Sequence, residues 1–202
     1  MTAKMKKLYS ILAMATLLLI AGCAMTSCKG KKTASSDTAA PTESVTPEKT
    51  MTPVDAVDKY LVDVPGKGYS QGDVCIPCAR VLMTDESDPA DVKVWGDFWV
   101  FNYKISGDTL ETVSGGSHPG LMHLRKTDSG YEVTSFDAVG DGSTFIPTAK
   151  KIFGDRYEDF MKMNSDQEGR EAVRKDRIRR YVQENGLSVT QFKDYGWDPV
   201  KL

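Results

Sequence analysis

Histidine is nearly missing from this chain, with two among 202 residues. Cysteine is scarce as well: four in all, at positions 23, 28, 75 and 78. A single Cys-x-x-Cys pair supplies half the ligands of a structural zinc site, and no second pair exists to complete it. Basic excess is lacking too. Residues 53–202 hold 19 Lys+Arg against 25 Asp+Glu, a net charge of −6, whereas a dedicated nucleic-acid binder needs a basic face. Residues 24–52 contain no aromatic residue and one valine, yet 11 Ser/Thr and two prolines. Such a segment buries too little to offset the entropy of ordering. Neither a nucleic-acid partner, a metal nor a cofactor is expected.

What is present begins with an address. Lys4, Lys6 and Lys7 precede an uncharged apolar stretch, Leu8 to Ala21, that ends in Ile20-Ala21-Gly22-Cys23. A basic start, an apolar run and small residues before a cut describe a secretory signal over residues 1–22. With the cysteine that follows, the pattern resembles the bacterial lipoprotein lipobox. The resemblance implies an acylated Cys23, a palmitate-type anchor, and a cell-envelope protein held at the outer membrane, on its periplasmic or its surface face. Two or more acyl chains give stable anchoring, since each buried methylene contributes roughly 0.8 kcal/mol. Two other readings remain open. The uncharged run extends to Cys28, 21 residues in all, long enough for a simple spanning helix. Processing at Cys28 would instead discard Cys23 and leave no odd thiol. The rest of 23–52 reads as a flexible tether with an r.m.s. reach of roughly 30 Å.

Residues 53–202 make one domain's worth of chain. Thr52-Pro53, followed by Val54, Val57, Tyr60 and Leu61, predicts a capped helix ending before Pro65-Gly66. Strand chemistry follows at Val74–Met83, Val92–Ile105, Thr109–Val113, Leu121–Lys126 and Tyr131–Val139, with hairpin turns at Gly107-Asp108 and Asp128-Ser129-Gly130. Short connections make these strands antiparallel. The run Val92–Ile105 is apolar on both faces, Val92, Val94, Phe98 and Val100 on one and Trp95, Trp99, Tyr103 and Ile105 on the other. It therefore reads as a central strand, with Gly96 placed to bend the sheet. Helices are expected at Thr148–Phe153 and Arg156–Met163, and from a capping box at Ser165-Asp166-Gln167-Glu168 to Asn185-Gly186. Phe192, Tyr195 and Trp197 give the last segment apolar surface with which to dock. The fold class is α+β: an N-terminal helix, a curved antiparallel meander of four to five strands, then helices.

That order, with the run Gly115-Gly116-Ser117-His118-Pro119-Gly120-Leu121-Met122-His123-Leu124, Asp141-Gly142-Ser143 and Asp194-Tyr195-Gly196-Trp197, resembles the cystatin-like and NTF2-like domains of uncharacterised envelope lipoproteins. The resemblance implies a curved sheet around a helix and carries no catalytic residue across.

Several groups are candidates for chemistry. Cys75 and Cys78 form either a disulfide, a redox pair or two free thiols, and only a turn would let them bridge, because i and i+3 in a strand are about 10 Å apart. His118 and His123 share a glycine-rich loop and the strand after it, where a fold-back would set either beside Asp141 for hydrolase or isomerase chemistry. Trp95, Trp99 and Tyr103 share a strand face that lines a pocket or packs as core. Arg170, Arg174, Lys175, Arg177, Arg179 and Arg180 make a +4 window, which reads as a solvated helix face or a patch facing an anionic partner. The function expected is a lipid-anchored, non-enzymatic module that binds a small ligand or an envelope protein. Thiol–disulfide and pocket-enzyme activity are the alternatives.

Overall fold

The computed structural model describes residues 50–202. The leader, Cys23, Cys28 and all but the last three residues of the tether lie outside them. The order is helix, four long strands, three helices and two short strands, an α+β arrangement.

Helix α1, Pro53–Leu61, starts where its capping chemistry puts it. The Thr52 hydroxyl accepts from the Asp55 N–H at 3.2 Å, and the Asp55 carboxylate accepts from the Thr52 N–H at 2.9 Å, a reciprocal box behind a proline at the first helical position. A wide turn, Val62–Gly66, ends it. Strands β1 (Val74–Asp85), β2 (Val92–Ser106), β3 (Thr109–Thr127) and β4 (Gly130–Ala138) then pair antiparallel in sequence order. Helices α2 (Phe145–Phe153), α3 (Tyr157–Ser165) and α4 (Gln167–Glu184) lead to β5 (Gln191–Lys193) and β6 (Val200–Lys201).

β2 is covered on both faces, as its sequence predicts. Val94, Phe98 and Val100 pack with Val57 and Leu61 of α1. Phe101 and Tyr103 pack with Ile178 and Val182 of α4, and Trp95 packs with Phe153 and Phe160 of α2 and α3. Each such large side chain taken out of water contributes about 2 kcal/mol. The sheet's bend lies across the ladder from Gly96, where the β1 register slips between Val81 and Met83.

Four expectations are corrected. The two strands Thr109–Val113 and Leu121–Lys126 are one, and the glycine-rich stretch between them is extended strand, not loop. Its glycines answer close approach: a Cβ on Gly115 would lie 2.5 Å from the Val100 carbonyl oxygen, and one on Gly116 would lie 2.2 Å from the Tyr69 hydroxyl oxygen. The sheet is not a pure antiparallel meander, because β5 pairs parallel to β3 at Thr109–Glu111, a direction that the long crossover through α2–α4 permits. The cap of α4 is Asp166, whose carboxylate accepts from the Gly169 N–H at 2.9 Å; the Ser165 hydroxyl instead bonds the Lys162 carbonyl at the end of α3. Of the aromatic residues expected to dock after α4, Phe192 is buried and Tyr195 and Trp197 are not.

β3 changes character at Val113. Asn102 pairs with Ser114 and Tyr103 with Thr112, so Val113 is an extra residue, a bulge. Beyond this point β3 loses its outer partner: β5 pairs only to Glu111, and β4 joins only at Gly120.

Candidate functional site

The residues singled out in the sequence do not converge. Among the described residues Cys75 and Cys78 form no disulfide; both lie within β1, Cys75 against the α1 core and Cys78 in the core beneath α4. Burial raises both thiols, Cys78 to about 12. Trp95 Nε1 donates to the Ile152 carbonyl at 3.1 Å, under α2. Trp99 stacks on Phe101 with the Arg170 guanidinium 4.8 Å over its ring, and among the described residues its buried Nε1 has no hydrogen-bond partner. Tyr103 is fully buried.

His118 and His123 stand on opposite faces of β3, about 17 Å apart at strand rise. His118 Nε2 shares a hydrogen bond with the Tyr69 hydroxyl at 3.2 Å, and burial lowers its pKa against the opposing charges of Asp141 and Asp97. Nδ1 of His123 donates to the Asp91 carboxylate at 2.6 Å, and its Nε2 is 3.7 Å from Asp137. Asp141 precedes the short turn Gly142–Thr144 and reaches His118 only through space. Among the described residues no group of three or more His, Cys, Asp or Glu is arranged to hold a metal ion.

The most elaborate side-chain arrangement centres on a residue that the sequence presents as one of six bases on a helix face. Arg174 of α4 is 3% exposed. Its Nε donates to the Tyr103 hydroxyl at 2.9 Å, and Nη2 donates to Thr112 Oγ1 at 2.8 Å. Nη1 and Nη2 also grip Asp194 at 2.9 and 2.7 Å. Aromatic faces complete the enclosure, with the guanidinium 4.1 Å from the Phe101 ring centre and 4.8 Å from that of Phe192. Burial works against this charge, but the Asp194 bonds and Tyr103 more than reverse the effect, and Arg174 titrates above its ordinary value. Asp194 is correspondingly held below the usual carboxylate range by Arg174. Two-pronged, charge-assisted pairs of this kind fix geometry as well as energy.

What the pair fixes is a surface turn. Asp194 opens a β-turn closed by Trp197 N–H on the Asp194 carbonyl at 3.1 Å, with Gly196 at φ 79° in the third position, where positive φ calls for glycine. The two rings flanking that glycine face water, Tyr195 being 98% exposed and Trp197 77%. They border a cleft of about 370 Å³ whose other walls are Glu111, Thr112, Lys193 and Asp194. Glu111 is paired with Lys193 at 3.0 Å, so the charges in the cleft are matched internally.

Two further clefts are present. One of about 420 Å³ lies between α1 and the β3–β4 hairpin, beside Met51, Tyr60, Val64 and Tyr131. A polar one of about 250 Å³ lies between α1 and α4. There Asp58 meets Arg177 at 2.6 Å with its second oxygen buried and unpartnered among the described residues, and desolvation raises its pKa to about 6 despite Arg177.

Sequence reasoning missed Arg174, because a buried arginine in a mixed-charge helix has no periodic signature. The available signal was Tyr-Gly-Trp after an aspartate, a turn with aromatic residues on both sides of its glycine. No family model, curated protein or solved structure matches the chain.

Proposed function

We propose that the chain is a lipid-anchored, non-enzymatic binding module of the bacterial cell envelope, and that it recognises its partner or ligand at the Tyr195–Trp197 turn and the adjoining cleft. One observation carries the binding part: two largely exposed aromatic rings stand on a turn clamped by a buried arginine. Large exposed aromatic residues beside a cleft mark interaction sites, and tyrosine, tryptophan and arginine dominate binding hot spots. A recognition surface gains affinity when it is held rigid before the partner arrives, and the Arg174–Asp194 clamp supplies that rigidity.

The envelope part rests on the leader, with Cys23 as the acylated residue and Cys28 as its rival, and on outer-membrane anchoring. The tether then carries the domain clear of the lipid. The curved sheet wrapped on α1 supports a cystatin-like or NTF2-like reading of the domain. Thiols pushed up by burial, and histidines on opposite faces of β3, favour neither the redox nor the pocket-enzyme alternative.

A photo-crosslinking amino acid introduced at Tyr195 tests the binding surface. A discrete adduct in the membrane fraction, absent when the probe replaces the exposed Arg179, is the expected result; equal adducts or none at both positions refute it. Cys23→Ala is expected to abolish acyl labelling and release the protein from membranes, while labelling that persists assigns the anchor to Cys28.

A further inference from the structure

Beside the aromatic turn the sheet has an unusual interruption. β5 holds the outer side of β3 up to Glu111 and β4 holds it from Gly120. Between them the Val139 N–H caps the Pro119 carbonyl at 2.8 Å. That bond shows which way the backbone faces: Pro119 turns its carbonyl away from β2, and by strand alternation Gly115 and Ser117 do the same with both N–H and C=O. Among the described residues no strand pairs with this stretch. Two donors and two acceptors therefore stand open over Val113–His118, about 20 Å of strand.

Open edges are ordinarily blunted by proline, charge or cover. The outer edge of β1 is treated in that way, since Pro77 lies in it and the Asp58–Arg177 pair of α1 and α4 borders the same cleft. Val113-Ser114-Gly115-Gly116-Ser117 has neither charge nor proline, and the proline that bounds it, Pro119, has its carbonyl capped by Val139. At its β5 end stands the cleft with Tyr195 and Trp197.

We infer that this interval accepts an extended, uncharged peptide segment of a partner protein as an added strand, with Tyr195 and Trp197 packing on its side chains at the β5 end. The inference rests on the proposal that the turn is a recognition surface, and it names the partner's chemistry. Backbone-to-backbone pairing supplies affinity and alternate side chains supply selectivity in such strand addition. The segment is short because β4 and β5 occupy the sheet plane on both sides, leaving room for five or six residues. It is uncharged because Glu111 is already paired with Lys193 and Asp194 with Arg174. With these charges already matched, the cleft holds, among the described residues, no unpaired charge for a charged segment to meet.

The test uses the full acylated chain in detergent micelles, panned against a displayed library of random seven-residue peptides. Selected peptides are expected to be uncharged at their centre and to slow amide hydrogen exchange at Gly115 and Ser117 at least tenfold. Their affinity is expected to drop at least tenfold on methylation of alternate backbone nitrogens, and at least tenfold in the Trp197→Ala protein. Peptides that bind without protecting those two amides overturn strand addition, yet leave the turn as a recognition surface if Trp197→Ala still weakens them. Failure to select any peptide overturns it too, as does binding of N-acetylglucosamine oligomers in place of peptides. Binding indifferent to both Tyr195→Ala and Trp197→Ala removes the inference and the proposed function together.

Discussion

Arg174 and Asp194 meet fork to fork, Nη1 to Oδ2 at 2.9 Å and Nη2 to Oδ1 at 2.7 Å, with the guanidinium buried and the carboxylate nearly half exposed. The pair ties the buried face of α4 to a turn at the surface, so its removal acts on stability and presentation together.

Arg174→Met is expected to lower unfolding stability by about 3 kcal/mol, the low end for breaking a buried pair because Asp194 retains water. Urea titration of Arg174→Met, Asp194→Leu and the double variant forms a cycle with a coupling energy above about 1 kcal/mol. Strict additivity would mean that the two residues are neighbours without being partners.

Asp58 has the opposite electrostatic character. Its folded pKa is raised to about 6 from an ordinary 3.8, so between these values the native state holds a proton that the unfolded chain has released. Its contribution to stability therefore falls as pH rises through that window, by up to about 3 kcal/mol. Asp58→Asn should remove that decline, so denaturation midpoints of the variant across pH 4 to 7 should be flatter than those of the parent. Parallel profiles would show that Asp58 does not titrate there.

The two glycines of the interrupted edge should respond unequally. Alanine at Gly115 meets the backbone oxygen of Val100 at 2.5 Å, which cannot yield without disturbing β2. Alanine at Gly116 meets the end of the Tyr69 ring, which can swing aside. Overpacking of this kind costs about 1–3 kcal/mol, and thermal melts should show Gly115→Ala as the worse of the two. Tyr69→Phe should partly rescue Gly116→Ala and do nothing for Gly115→Ala.

Alkylation at pH 8 should label Cys75 well before Cys78. A thiol held at about 12 instead of 9 carries about a thousandfold less thiolate. Mass spectrometry after timed iodoacetamide pulses on the native protein reads the order directly. Fast labelling of Cys78 would place an activating group near it.

The parts of the fold legible in the sequence were those with a local cause. Thr52 and Pro53, with the stripe Val54, Val57, Tyr60 and Leu61, announced α1, and two-sided apolarity marked β2 as central. Gly115 and Gly116 misled, since glycine signals a turn as readily as a close cross-strand approach, and only the position of Val100 and Tyr69 distinguishes them. β5 was hidden for another reason. A three-residue strand has no periodicity, and its pairing with Thr109 lies 82 residues away. The candidate site combined both difficulties, joining a distant arginine to a turn that composition alone suggested would be buried.

Val113 divides β3 into two reading frames. Before the bulge the even-numbered Leu110 belongs to the core under α4, and after it the even-numbered Met122 and Leu124 belong to the core under α1. Unbroken alternation along these residue numbers would put all three on one face, and the unpaired Val113 accounts for the change of parity. Deleting Val113 removes the bulge and leaves the register in place: Thr112 and Ser114 become neighbours opposite Tyr103 and Asn102, so Leu110 stays with Phe192 and Thr112 with Arg174. The extra residue adds local twist where β3 parts from β5, beside the cleft that carries the aromatic turn.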